Sequence, residues 1–296
     1  MNWEGVMPAI TTPFTEDGAI DHAFVRRHVR WLADHGATAV VPCGSLGEGA
    51  TLDAAEKVAL MHTCVTAVDG HIPVAPGIAA TSTKAAVWLC QKAEEAGCRG
   101  LMVLPPYVHK GGWDEVGPHF EAMLDATELP CMLYNNPAAY GIDVTPEQII
   151  DLSRRHRNLI AVKESSGDVR RITAIRALAG ERLTVAVGLD DVILEGIAMG
   201  ACGWVAGLVN ALPAESMRLF QLAREGKHDQ AFALYRWFLP LLRMDTVPEF
   251  VQLIKLVQSE VGMGSERVRL PRRPVTGSAR QAALATIRAA LETRPE

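Results

Sequence analysis

Eight short apolar runs, each followed by a longer amphipathic stretch, recur along the first three-quarters of the chain. They constrain its fold more than any other feature. The runs fall at residues 6–10, 39–43, 73–77, 100–104, 130–134, 159–163, 183–187 and 203–206. Each is unbroken, the pattern of a parallel strand covered on both faces. The stretches between them read as helices, most clearly at 53–68 and 81–96, which open on an acid or hydroxyl and close near a glycine. Thr145 before Pro146 marks another helix start. Eight strand–helix units in series predict an α/β fold, a closed (β/α)8 TIM barrel rather than an open doubly wound sheet. The 296 residues suffice for one barrel of about 250 residues and a short extension.

The pattern changes near residue 223. Residues 225–261 and 278–292 look helical with no strand between them, and Pro240 is expected to kink or break the first stretch. Arg272 and Arg273, between Pro271 and Pro274, lie in a segment (267–274) that reads as an extended linker. The expected division is a catalytic barrel over 1–224 and a C-terminal helical extension over 225–296.

Composition narrows the function. The formal net charge is -5, and no basic cluster suits nucleic acid or an anionic membrane. A small anionic substrate must therefore be met by a local site. The start, Met-Asn-Trp-Glu-Gly, has no signal-peptide pattern, and no run of about 18 apolar residues suggests a membrane span, so a cytoplasmic protein is expected. The six cysteines include no Cys-x-x-Cys pair and read as reduced, mostly buried residues. The nine histidines lack metal-ligand spacing, and Gly196, Gly200, Gly203 and Gly207 form no dinucleotide fingerprint, so neither metal nor nucleotide cofactor is expected. Asp190 and Asp191 are expected to cap a helix starting near Val192.

Barrel enzymes carry their chemistry at the C-terminal ends of the strands. Four endings hold reactive or conformationally special residues: Cys43-Gly44-Ser45-Leu46-Gly47-Glu48, Pro105-Pro106-Tyr107, Tyr134-Asn135-Asn136-Pro137 and Val162-Lys163-Glu164-Ser165. Lys163 directly follows a buried run, which places it in the barrel mouth. An amine attacks a carbonyl only when neutral, and burial in such a mouth is one way to neutralise a lysine. A lysine whose stem reaches solvent fits the same position. Tyr134 can serve as a proton carrier beside such a lysine or as an aromatic lid on the core. Gly44 to Gly47 can present backbone N–H groups to a carboxylate or can be a plain strand-to-helix turn. Glu48 reads as a residue that orders this loop.

Together these segments resemble the dihydrodipicolinate synthase / N-acetylneuraminate lyase family of lysine-dependent barrel enzymes, from about residue 5 to 291. The carriers are Gly44-Ser45-Leu46-Gly47-Glu48, Tyr134-Asn135-Asn136-Pro137, Val162-Lys163-Glu164 and Gly188-Leu189-Asp190-Asp191. The resemblance implies that Lys163 forms a Schiff base with a small 2-oxo acid or its cyclic imine. No cofactor beyond that covalent imine is implied. Tyr134 would carry protons, and Ser45 with nearby backbone would hold the carboxylate. Gly44, Ser45, Leu46, Ala139, Gly188 and Val205 would line the substrate. Tyr107 matches a tyrosine that, in the synthases, reaches into a neighbouring subunit's site, which implies a homotetramer built as a dimer of dimers.

Two departures bear on the substrate. The synthases carry Thr-Thr where this chain has Ser45-Leu46, and an arginine where it has Ala139. Without that arginine, the carboxylate of an aldehyde substrate lacks its bidentate partner. Tyr140-Gly141, Glu164-Ser165-Ser166-Gly167-Asp168 with Arg170-Arg171, and Trp237-Phe238-Leu239-Pro240-Leu241-Leu242 are similar to the 1-pyrroline-4-hydroxy-2-carboxylate deaminases of hydroxyproline breakdown. That likeness implies release of ammonia and 2-oxoglutarate semialdehyde. Dihydrodipicolinate synthesis from pyruvate and aspartate semialdehyde is the alternative. A 2-oxo-3-deoxy sugar acid aldolase or dehydratase would share the first steps. A non-catalytic 2-oxo acid binder would need neither Lys163 nor Tyr134.

Overall fold

Helices form where the sequence supplies both a cap and an apolar face. The carboxylate of Asp53 accepts from Glu56 N at 2.8 Å while Glu56 accepts from Asp53 N at 3.0 Å, which starts the helix Ala54–Val68. The exchange satisfies two donors that a bare helix end would orphan. Thr145 and Gln148 do the same for Pro146–Arg155, and Ser82 caps Thr83–Glu95.

The structure, a computed structural model, describes residues 1–295. Its strands are β1 (Gly5–Pro8), β2 (Gly77–Ile78), β3 (Leu101–Val103), β4 (Cys131–Asn135), β5 (Leu159–Glu164), β6 (Thr184–Val187) and β7 (Gly203–Ala206). All pair in parallel, in the order β1-β7-β6-β5-β4-β3-β2. Residues 38–42 close the gap between β1 and β2. Val41 N donates to Pro8 O at 2.8 Å and its carbonyl accepts from Ile10 N. On the other side Ala75 N donates to Val40 O and Gly77 N to Pro42 O.

The sheet is thus a closed barrel of eight staves, as the apolar runs predict. Two staves differ in form from the expected strands. Residues 39–43 make only the isolated bridges Ala9–Val41 and Val40–Val74, and the run at 73–77 contributes little ladder beyond Gly77. Pro42, Pro73 and Pro76 have no N–H to donate, so a continuous ladder cannot form there.

Eight helices follow the staves in turn: His22–Asp34, Ala54–Val68, Thr83–Glu95, Trp113–Asp125, Pro146–Arg155, Arg170–Ala179, Ile193–Ala198 and Pro213–Arg224. Core residues such as Val40, Leu101, Leu133, Ala161 and Ala186 are fully buried, as expected for strands covered on both faces. Beyond them lie His228–Leu242, Phe250–Glu260 and Gly277–Glu292. Pro240 does not break the first of these. The helix runs through it and ends two residues later. So near the end, the proline costs only the bond to one carbonyl of the previous turn. Among the described residues no helix is long and apolar enough to cross a membrane. All six cysteines are free, and all but Cys202 are buried.

Candidate functional site

Strand register places the central pair. Tyr134 on β4 lies opposite Lys163 on β5, and Lys163 lies opposite Ala186 on β6. Lys163 is only 6% exposed and Tyr134 4%. Lys163 Nζ lies 4.1 Å from the centroid of the Tyr134 ring. The solvent-reaching lysine considered from sequence is therefore not what the fold builds. Gly188, just past β6, makes room for this side chain. A Cβ there would overlap Ser165 Oγ and Lys163 Cε and lie 2.7 Å from Lys163 Cγ.

The turn after β4 sets the wall of the site. Pro137–Tyr140 is a single helical turn. The Asn136 side chain accepts from Ala139 N at 3.0 Å, and Gly141 closes the turn in the left-handed region at φ 70°. Asn136 Nδ2 also donates to the Tyr134 hydroxyl at 2.9 Å, while Asn135 donates to Glu164 across the β4–β5 pair at 3.2 Å. Ala139 is exposed on this turn and Tyr140 is half-buried. The Tyr140 ring stacks on Tyr107 (centroids 5.9 Å apart, planes at 23°) and meets Tyr134 edge-on at 5.7 Å. Its hydroxyl is 2.5 Å from Ser45 Oγ. Burial, then the neighbouring phenols, push the Tyr140 and Tyr107 hydroxyls well above the ordinary tyrosine pKa.

The loop carrying Ser45 is held from below. Cys43 and Glu48 adopt positive φ (64° and 54°), which is costly for side-chain-bearing residues and persists only where surroundings enforce it. A Cβ on Gly49 would run into the Cys43 carbonyl. Thr12 Oγ1 donates to Gly47 O at 2.6 Å. Glu48, fully buried, accepts from Lys255 Nζ at 2.6 Å and from Arg269 N at 2.9 Å. Glu48 thus orders the loop, with partners more than 200 residues away.

A pair of acids sits on the β6–β7 side. Asp190 is no helix cap. Its buried carboxylate accepts from Trp204 Nε1 (2.9 Å), Gly207 N (3.1 Å) and Leu208 N (2.7 Å). Tertiary donors outcompete the local turn for it. Burial raises Asp190 to about 6, opposed by those three donors and by the charge of Lys163. Asp245 packs over Gly207, and burial with the adjacent Asp190 raises it well above the usual carboxylate range.

The structure brings together Lys163, Tyr134, Gly188, Ser45, Tyr107 and the Gly44–Leu46 turn with its buried Leu46. Val205 is buried in β7, opposite Met7. Sequence reasoning gave Tyr140 only as part of a motif and missed its bond to Ser45. It also missed Ser165, whose buried hydroxyl has no hydrogen-bond partner among the described residues. A serine two residues past a strand-end lysine was the available signal, since both side chains point to the same side of an extended chain. A groove of about 870 Å³ lies elsewhere, on the helical exterior near Phe232 and Tyr235, and includes none of these residues.

The chain matches the dihydrodipicolinate synthetase family over residues 2–290. A 4-hydroxy-tetrahydrodipicolinate synthase of Pelobacter propionicus is 30% identical over 285 residues, covering 96% of this chain and 97% of that one. One from Geobacter metallireducens is 32% identical with the same coverage. Among solved structures, a dihydrodipicolinate synthase of Bacillus anthracis superposes with a TM-score of 0.93 at 29% identity, covering 100% of both chains. A prophage protein of that family from E. coli K12, solved in complex with pyruvate, gives 0.91 at 27% identity over 99% of each chain. With the barrel and the whole-chain match in agreement, this chain belongs to the dihydrodipicolinate synthase family of lysine-dependent, Schiff-base-forming lyases, which use no external cofactor.

Proposed function

We propose that Lys163 forms the covalent imine with C2 of a small 2-oxo acid or its cyclic imine, with Tyr134 and Ser45 carrying protons. Gly44, Ser45 and Leu46 would receive the substrate carboxylate end, with Gly188 and Val205 on the opposite wall. The protonated lysine imine draws electrons from C3. Loss of the C3 proton then expels a C4 hydroxyl when the substrate carries one. Within this chemistry we read the protein as a 1-pyrroline-4-hydroxy-2-carboxylate deaminase, releasing ammonia and 2-oxoglutarate semialdehyde.

One observation carries that finer reading. The turn after β4 offers a methyl group at Ala139 and a phenol at Tyr140 already bonded to Ser45, with no guanidinium for a second carboxylate. A second reading, dihydrodipicolinate synthesis, has names of similar proteins on its side: those of Pelobacter propionicus, Geobacter metallireducens and Bacillus anthracis are named as synthases. The comparisons favour it over the deaminase. The residues on this turn favour the reverse. We further infer a homotetramer from the likeness at Tyr107, testable by sedimentation.

The deciding experiment is a parallel assay of the unmodified protein. It offers the cis- and trans-configured hydroxylated pyrrolines, pyruvate with aspartate semialdehyde, and 2-oxo-3-deoxy sugar acids. The deaminase reading expects fastest turnover with ammonia release from a pyrroline. Faster formation of dihydrodipicolinate overturns it. Borohydride reduction during turnover should leave the adduct on Lys163, and Lys163→Ala should lose activity by several orders of magnitude.

A further inference from the structure

The C-terminal extension reaches into the barrel mouth at Asp245. Register sets Lys163 on β5 beside Ala186 on β6, and Ala186 beside Gly203 on β7, so these three face the same way. Side chains alternate along a strand, so Ser165, Gly188, Val205 and Gly207 face that way too. Two of those positions are glycines, and polar groups fill both vacancies. Ser165 Oγ and the Lys163 stem take the space over Gly188. The Asp245 carboxylate takes the space over Gly207, where a Cβ would lie 2.5 Å from its Cγ. Asp245 ends the short 3-10 turn Arg243–Asp245, beyond the last helix of the barrel.

That carboxylate has no partner. Asp190, also at Gly207, is occupied by Trp204 Nε1, Gly207 N and Leu208 N. Among the described residues none donates a hydrogen bond to the Asp245 side chain. Lys163 Nζ makes no ion pair with it and lies over the Tyr134 ring instead. Burial and the charge of Asp190 both oppose the Asp245 anion, and the charge of Lys163 favours it. A cation brought to this place would relieve both penalties. Ser165 on the same arc is 1% exposed, and its hydroxyl has no hydrogen-bond partner among the described residues. Buried polar groups are ordinarily paired, so an unpaired hydroxyl beside an unpaired acid marks room for the polar end of a ligand.

We propose that Asp245 is a specificity-determining residue for the far end of the substrate, and that the group it takes is a protonated amine on C5 of the chain held by Lys163. This rests on the lysine-imine reading and names the substrate class that its cyclic-imine branch supplies. Neutral Lys163 Nζ adds to C2 of a protonated five-membered cyclic imine, and one proton moves from Nζ to the ring nitrogen. The bond from C2 to that nitrogen then breaks, which leaves a protonated lysine imine and an amine on C5. The amine takes a second proton from solvent and becomes the cation that Asp245 holds. A methyl group at C5 leaves Asp245 unpaired. A carboxylate at C5 sets a further negative charge against Asp245 and Asp190.

The test compares three compounds with the same five-carbon chain: 1-pyrroline-2-carboxylate, 2-oxopentanoate and 2-oxoglutarate. On opening at Lys163 they place an ammonium, a methyl and a carboxylate on C5. None carries a C4 hydroxyl, so none can eliminate water. Borohydride is added after equilibration, and peptide mass spectrometry gives the concentration that half-labels Lys163. The unmodified protein is compared with Asp245→Asn. Each ratio between compounds is taken on one protein, so general damage to Lys163 cancels. In Asp245→Asn the preference for the pyrroline over 2-oxopentanoate should fall roughly ten- to a hundredfold, the scale of a lost charge-assisted contact. 2-Oxoglutarate should gain on 2-oxopentanoate, which a purely structural role would not produce. If Asp245→Asn melts early, Asp245→Ser removes the same charge and reads the same ratios.

Unchanged ratios in a folded variant overturn the assignment. So does an equal loss for all three compounds. No label on Lys163 in the unmodified protein overturns the lysine reading and this inference with it. Shifted ratios in a protein that releases no ammonia from the hydroxylated pyrrolines support Asp245 and count against the deaminase reading alone.

Discussion

Gly188 and Lys163 face each other so closely across β6 and β5 that a single methyl group at 188 would occupy the space of the lysine stem. The glycine is a requirement of the lysine's position. Gly188→Ala should push Lys163 Cγ and Cε aside and crowd Ser165 Oγ. We expect a stability loss of about 1–3 kcal/mol from overpacking. Adduct formation at Lys163 should fall by more than the stability loss explains, because the Nζ position over Tyr134 is lost. Denaturant melts alongside timed borohydride capture check both, and full-rate capture refutes it.

Ala139→Arg addresses the second carboxylate. A charge-assisted contact is worth about 1.5–3 kcal/mol, or roughly ten- to more than a hundredfold. The variant should gain condensation of pyruvate with aspartate semialdehyde by about that factor. Coupled assay of dihydrodipicolinate formation measures it. Tyr140 is the expected obstacle, being held by Ser45 and Tyr107.

The Glu48–Lys255 pair is buried on both sides, at 2.6 Å. Removing one partner strands the other charge. Glu48→Gln or Lys255→Met should each cost about 3–5 kcal/mol, while the double variant should lose clearly less than the sum. Urea titration of the three proteins measures the coupling. Additive losses would mean that the pair does not act as a unit.

His28 governs an acid-side weakness. Burial lowers its pKa to about 4, although its ring donates to Asn210 O at 2.9 Å. The unfolded chain holds a proton on this residue below about 6.5, where the folded chain does not. Stability from this group is therefore complete above pH 6.5 and falls as pH drops toward 4, by roughly 3 kcal/mol in all. His28→Gln should flatten the urea midpoint over that window. An unchanged pH dependence in the variant counts against it.

Strand and helix order was legible because each element announces itself locally. The run at 203–206 matches β7 residue for residue, and Asp53, Ser82 and Thr145 cap the helices they precede. Lys163 was legible for the same reason, a polar residue ending an apolar run. What stayed hidden depends on distance along the chain. Nothing near Asp190 says that Trp204 and Gly207 will claim its carboxylate. Nothing near Tyr140 says that its hydroxyl will meet Ser45. The stave at 38–42 was visible as hydrophobicity, but its prolines left it with bridges in place of a ladder.

Lys255 reaches back to Thr12 O, Glu48 and Arg267 O. The order of synthesis therefore runs opposite to the order of need. Every stave of the barrel leaves the ribosome before the residue that neutralises Glu48 beneath the Ser45 loop. A nascent chain stalled after β7 lacks both the partners of Glu48 and the segment that covers it, so the acid there faces water. The contacts that hold the Ser45 loop from below are complete only once residues 255 and 269 have been made.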